Sequence, residues 1–128
     1  MSDVRREVLG DEHVDRALAS ASPFSAPWQD HLSAHAWDAV WARPGLDRRT
    51  RSLLTLALLT AQRAETELAL HVEAAIRIGV TAEEIRETLM HTAVYAGVPA
   101  ANAAFAVAQR VLRDLGEPTA VQDAGGGD

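Results

Sequence analysis

Alanine fills about one position in five of this 128-residue chain, while aromatic residues make up only 5%. No other feature constrains the fold as strongly. Alanine has the highest helix propensity, and the β-branched and aromatic runs that pack a pleated sheet are scarce. No alternating apolar–polar stretch of useful length occurs, and no internal repeat. The chain reads as all-α.

Glycine, proline and capping residues divide it into about seven helices. The first covers 3–9 and stops at Gly10, with Asp11 as cap of a second over 12–20. Pro27 suits the first position of a helix that runs to about Trp41 and stops before Arg43-Pro44-Gly45. Asp47 is the next N-cap, opening a helix with Leu53, Leu54, Ala57, Leu58 and Ala61. Another spans 65–78 and ends at Gly79. Thr81-Ala82-Glu83-Glu84 forms a capping box for a helix ending near Gly97, and Pro99 starts the last helix, to about Leu115. Short turns between helices leave bundling as the architecture. One domain is expected over 1–116, large enough to bury a core, with a disordered polar tail over 117–128.

Composition excludes several functions. With no Cys there are no disulfides, thiolate metal sites or thiol redox chemistry. All 12 cations are Arg, so Schiff-base and pyridoxal chemistry are also excluded. A net charge of −6 argues against nucleic acid as a partner. No apolar stretch approaches the length of a membrane span, and the N-terminus lacks a signal-peptide layout, so a cytoplasmic location is expected.

Four residue groups stand out. Arg43, Arg48, Arg49 and Arg51 place four cations in nine residues of an acidic chain, three of them near a helix N-terminus where the macrodipole disfavours them. Either an anionic ligand or an ion-pair cluster with acidic residues would offset them. Glu67 and His71 stand at i and i+4, beside the apolar stripe Leu68, Val72, Ala75 and Ile76. This is either a poised imidazolium proton donor or an ordinary surface pair. His31 and His35 form a second i, i+4 pair, followed by Trp37 and Trp41; exposed histidines are favoured there over a metal site. His91 and Tyr95 form a third pair, suited to a pocket wall or a subunit contact. The alanine-rich last helix allows close approach, either within the chain or between subunits.

Several blocks of sequence, in order, resemble the carboxymuconolactone decarboxylase family with its AhpD-like helical fold. They are Val4-Arg5-Arg6-Glu7-Val8-Leu9-Gly10-Asp11, His35-Ala36-Trp37, Trp41-Ala42-Arg43-Pro44-Gly45-Leu46, Arg49-Thr50-Arg51-Ser52-Leu53 and Glu67-Leu68-Ala69-Leu70-His71. Gly79-Val80-Thr81 and Glu84-Ile85 follow, then Tyr95 to Phe105. The superfamily's peroxidase branch resembles Cys-x-x-Cys-x-x-x-His; here Ala64 and Glu67 replace the two Cys and His71 is kept, which removes thiol peroxidase activity. His91 stands where Gln is expected in many such decarboxylases.

The resemblance implies cofactor-independent loss of CO2 from γ-carboxymuconolactone, giving β-ketoadipate enol-lactone in protocatechuate catabolism. It implies a homo-oligomer, a trimer or hexamer. The implied roles give His71 the proton, with Glu67 orienting it. Arg51 is the first substrate-binding residue and Arg43 the second, with His35 and His91 in reserve and Trp37, Trp41 or Tyr95 walling a dry pocket. No metal or other cofactor is expected. The alternative is a helical protein of the same fold that binds another small organic acid, without catalysis or with a different specificity.

Overall fold

The computed structural model describes residues 3–117. Among these there are seven α-helices and no strand. They are α1 (Val4–Leu9), α2 (Asp11–Ala19), α3 (Ala26–Leu32), α4 (Arg48–Ala61), α5 (Glu65–Ile78), α6 (Ala82–Ala96) and α7 (Val98–Asp114). The main departure from the sequence reading is that α3 passes without a break into a π-helical segment, Ser33–Trp41. Most of the tail expected over 117–128 lies outside the described residues.

Local chemistry accounts for the boundaries. The Thr81 hydroxyl accepts from the Glu84 amide at 3.1 Å, and the Glu84 carboxylate accepts from the Thr81 amide at 2.9 Å. This reciprocal box satisfies two donors that a helix start leaves open. At the end of α5, Gly79 takes φ +111, and the Gly79 and Val80 amides return to Ala75 and Ile76 carbonyls. A Cβ at Gly79 would meet nothing within 4 Å, so the demand for glycine is conformational and not steric. The α1–α2 junction differs slightly from expectation. Gly10 holds the capping position with φ 90, and Asp11 is the first helical residue, where its charge still complements the dipole.

The chain divides into two compact units, Met1–Arg51 and Ser52–Asp128. In the first, α1 packs on α2 and on the π-helical segment, which also packs on α3. Val4, Val8, Leu9, Val14 and Trp37 are buried there. In the second, α7 packs on both α5 and α6. Its alanine face, Ala100, Ala101, Ala104 and Ala108, is buried within the unit, as the intrachain reading of that helix requires. Methyl-sized side chains let helix axes approach closely, and the larger neighbours Leu68, Val72, Ile85 and Leu89 fill the space around them.

Leu89 is fully buried, so Leu89→Ala is expected to cost about 3 kcal/mol through lost burial and a residual cavity. Thr81→Ala removes one arm of the capping box and should cost about 1 kcal/mol. Urea unfolding checks both: the midpoint should fall while the slope with denaturant stays constant.

Candidate functional site

The candidate residues separate into two groups, one in each unit. In the first unit, the π-helical segment carries His35, Trp37 and Trp41. Trp37 is buried, and its ring stacks on that of Trp41 with centroids 5.1 Å apart and planes inclined by 28°. His35 is exposed, 4.2 Å from the ring of His31. Among the described residues, no group of three or more His, Asp or Glu is arranged to hold a metal ion.

The arginine cluster resolves into different tasks. Arg48 forms an ion pair with Glu7 at 2.6 Å, as the ion-pair reading anticipates. Arg51 is half-buried and donates through Nη2 to the Arg43 backbone carbonyl at 3.2 Å. A carbonyl accepts a hydrogen bond without itself cancelling the charge, so this contact orients the guanidinium. The Arg43 side chain is exposed beside it in sequence, after the π-helical segment. Asp47 caps α4 as expected, its Oδ1 accepting from the Thr50 amide at 2.7 Å. Hydrogen bonds from Thr50, chiefly from its backbone amide, hold the Asp47 carboxyl below its ordinary value of 3.8, and Arg49 adds to the effect. One negative charge is thereby retained within the cluster at neutral pH.

In the second unit, His71 lies on α5 at the edge of the core, as its position beside the apolar stripe requires. It is half-buried, with Nδ1 shielded from solvent, while Glu67 one turn earlier is exposed. Leu68 and Val72 flank them and are buried. On α6, the His91 and Tyr95 rings lie 5.4 Å apart; both residues are exposed, Tyr95 at 82%. His91 lines a shallow groove of about 440 Å³ between α4 and α6. The groove has an apolar floor of Leu53, Leu54 and Ala57 and a rim bearing Glu83, Glu84 and Glu87. Three carboxylates would repel a dianion, so the electrostatics of this groove do not suit a diacid. Arg43 and Arg51 lie in the first unit.

Sequence reasoning overlooked two features. The first is Arg5, buried on the inner face of α1, whose guanidinium donates to Gln29 and Ser33. The spacing held a signal: Val4, Arg5, Val8 and Leu9 share one helical face, so a cation stood among apolar residues. The second is the run of threonine hydroxyl bonds along α6, Thr88 to the Glu84 carbonyl at 2.8 Å and Thr92 to the Thr88 carbonyl at 2.7 Å. These bonds let a polar ridge face the groove without open donors.

Residues 26–110 match the carboxymuconolactone decarboxylase family, a segment that contains all nine candidate residues. The chain belongs to this family. Its helical architecture is the AhpD-like one of the family. Among similar proteins, the 4-carboxymuconolactone decarboxylase of Acinetobacter baylyi is 47% identical over 114 residues, covering 89% of this chain and 85% of the relative. The nitrosuccinic acid decarboxylase of Metarhizium robertsii is 50% identical over 112 residues, covering 88% of this chain and 78% of the relative. A 15.0 kDa protein of Paracoccus denitrificans is 39% identical over 77 residues.

The Asp47 cap sets a pH dependence. A folded-state carboxyl below its unfolded value contributes stability that is fully present above the unfolded value and lost as pH falls through the folded one. Asp47→Asn keeps a capping oxygen but removes the charge. The stability gap between wild type and Asp47→Asn should therefore be largest near neutral pH and close as the solution is acidified below the ordinary carboxylate range. A gap that stays constant under acid, followed by urea unfolding at stepped pH, would assign the effect to the hydrogen bond alone.

Proposed function

We propose that this protein is a cofactor-independent carboxy-lyase that converts 4-carboxymuconolactone to β-ketoadipate enol-lactone and CO2, a step of protocatechuate catabolism. The observation that carries this reading is the 47% identity to a 4-carboxymuconolactone decarboxylase over most of both chains. The chemistry of the side chains supports it.

The departing carboxylate sits on the γ carbon of an α,β-unsaturated lactone. When the C–C bond to CO2 breaks, its electron pair delocalises through the double bond into the lactone carbonyl. The substrate is its own electron sink, and a chain without Lys or Cys needs neither an iminium nor a thiolate for the reaction. What the protein must supply is orientation of two carboxylates, stabilisation of a dienolate oxygen, and a proton to carbon. Arg51 is the primary carboxylate partner, since a guanidinium presents two parallel donors to a carboxylate and its own geometry is already set by the Arg43 carbonyl. The Arg43 side chain is the second. His71 is the acid and the oxyanion donor, with Glu67 holding its charged form. His35 and His91 remain reserve donors. A wall of Trp37, Trp41 or Tyr95 would strengthen these electrostatic contacts by excluding water. The net charge of −6 repels a dianion at long range, so the arginine field must dominate within a Debye length of about 8 Å.

A second reading has a specific observation in its favour, the 50% identity to a nitrosuccinic acid decarboxylase. Nitrosuccinate is also a dicarboxylic acid whose leaving carboxylate adjoins an electron acceptor, a nitro group in place of the conjugated lactone. The same division of labour, guanidinium for carboxylate and imidazole for the proton, serves both. Incubating purified protein with each acid and following CO2 release separates them: turnover of the lactone alone supports the first reading, turnover of nitrosuccinate alone replaces it. Release from neither would leave a small-acid binder of the same fold.

No helix among the described residues is long and apolar enough to cross a membrane. We place the enzyme in the cytoplasm as a homo-oligomer, a trimer or hexamer. Phe24, Val94 and Val98 are 93%, 74% and 64% exposed in a single chain and are available to subunit contacts. Light scattering coupled to size exclusion reads the assembly directly.

His71→Gln should lower kcat by about 100-fold or more, the range of a lost general acid. Arg51→Lys should reduce kcat/KM by about 10- to 100-fold, because an ammonium cannot reproduce a planar fork and a hydrogen bond to a charged group carries about 1.5–3 kcal/mol. Near-wild-type turnover by folded His71→Gln would remove the acid role; unchanged kcat/KM in Arg51→Lys would remove Arg51 from the anion site.

A further inference from the structure

Arg5 is 6% exposed, the one charged side chain buried among the described residues. Its guanidinium faces neutral partners: Nη1 donates to Ser33 Oγ at 3.1 Å and Nη2 to Gln29 Oε1 at 2.9 Å. The carboxylates of Asp11 and Asp15 pair with the neighbouring Arg6. Burial, and secondly the charge of Arg6, lower the affinity of Arg5 for its proton. Enclosing a cation without a counter-charge is costly, and an apolar residue of similar volume would serve packing better. The cation must therefore contribute something that packing does not.

Its two acceptors show what. Gln29 lies in α3 and Ser33 is the first residue of the π-helical segment, so one rigid guanidinium spans a single turn across the α-to-π junction. A π-helix is rare and depends on contacts outside the helix to persist. This one carries His35, Trp37 and Trp41 and leads to Arg43, whose carbonyl orients Arg51. Reverting even part of it to α geometry would rotate every following side chain about the axis, unstacking Trp37 from Trp41 and moving the Arg43 carbonyl. Arg5 lies upstream of the family-matched residues 26–110, and both acceptors lie within them.

We infer that Arg5 is a positioning residue: by bridging Gln29 and Ser33 it holds the α-to-π junction in register, and so aligns the Trp37–Trp41 stack and the Arg43–Arg51 contact that receives the substrate carboxylate. The binding half of this inference rests on the decarboxylase reading; the alignment half does not.

The test uses the full chain with Arg5→Lys, which keeps the charge and loses the fork, and Arg5→Met, which keeps the bulk. The readouts are the tryptophan exciton couplet in circular dichroism, assigned to the stacked pair by its loss in Trp41→Phe, and KM and kcat for the lactone. Both Arg5 variants should lose more than about half of the couplet and raise KM by about tenfold, with kcat changed much less, as expected when ground-state binding is lost. A retained couplet in folded Arg5→Lys or Arg5→Met overturns the inference, as does a lost couplet with unchanged KM. Should both variants fail to fold, Ser33→Ala removes one acceptor at a half-buried position; the same couplet loss supports the inference and a wild-type couplet overturns it. A wild-type protein that leaves the lactone unchanged sinks the decarboxylase reading separately, and the couplet alone then decides the role of Arg5.

Discussion

Close helix contact through alanine is the constraint on which the second unit depends. α7 reaches both α5 and α6 because its inner face carries methyl groups where leucines would hold the backbones apart. Leu68, Val72, Ile85 and Leu89 then supply the apolar volume that the alanines lack. Small residues on one helix and large ones on its neighbours let a core poor in aromatic residues reach native density. His71 inherits its position from this arrangement. It follows a buried leucine by three residues and precedes a buried valine by one, so it sits at the boundary of the packed interior with one ring nitrogen shielded.

The first unit is organised by hydrogen bonds more than by apolar volume. Arg5 bridges Gln29 and Ser33, Asp47 caps α4, Glu7 pairs with Arg48, and Arg51 donates to the Arg43 carbonyl. Each contact satisfies a charge or a backbone group. The contrast matters for chemistry. A carbonyl or an amide partner directs a guanidinium without quenching it, whereas a carboxylate partner, as at Arg48, takes the charge out of use. Of the four clustered cations, Arg48 pairs with the Glu7 carboxylate and Arg51 donates to a backbone carbonyl.

An acidic protein with an anionic substrate faces opposing fields. The groove between α4 and α6, rimmed by Glu83, Glu84 and Glu87, falls on the unfavourable side. At separations under a Debye length a few fixed cations outweigh a diffuse net charge, so an anionic ligand is better matched to an arginine-bearing surface than to this groove.

Helix number, type and most boundaries were legible in the residues themselves. Thr81 with Glu84, Gly79, Gly97 and Asp47 act through their own backbone and nearest turn, so their effect needs no knowledge of the rest of the chain. The apolar edge position of His71 was legible for the same reason, since helical periodicity converts spacing into facing. Which arginine would be paired, directed or exposed was not legible, because the partners lie elsewhere in the chain: Glu7 for Arg48, and a loop carbonyl for Arg51. The π-helical segment was likewise invisible, as no propensity favours it over an α-helix. Local sequence determined where helices begin and end, whereas the π winding of Ser33–Trp41 and the partners of Arg48 and Arg51 emerge only in the folded structure, where groups distant in sequence come together.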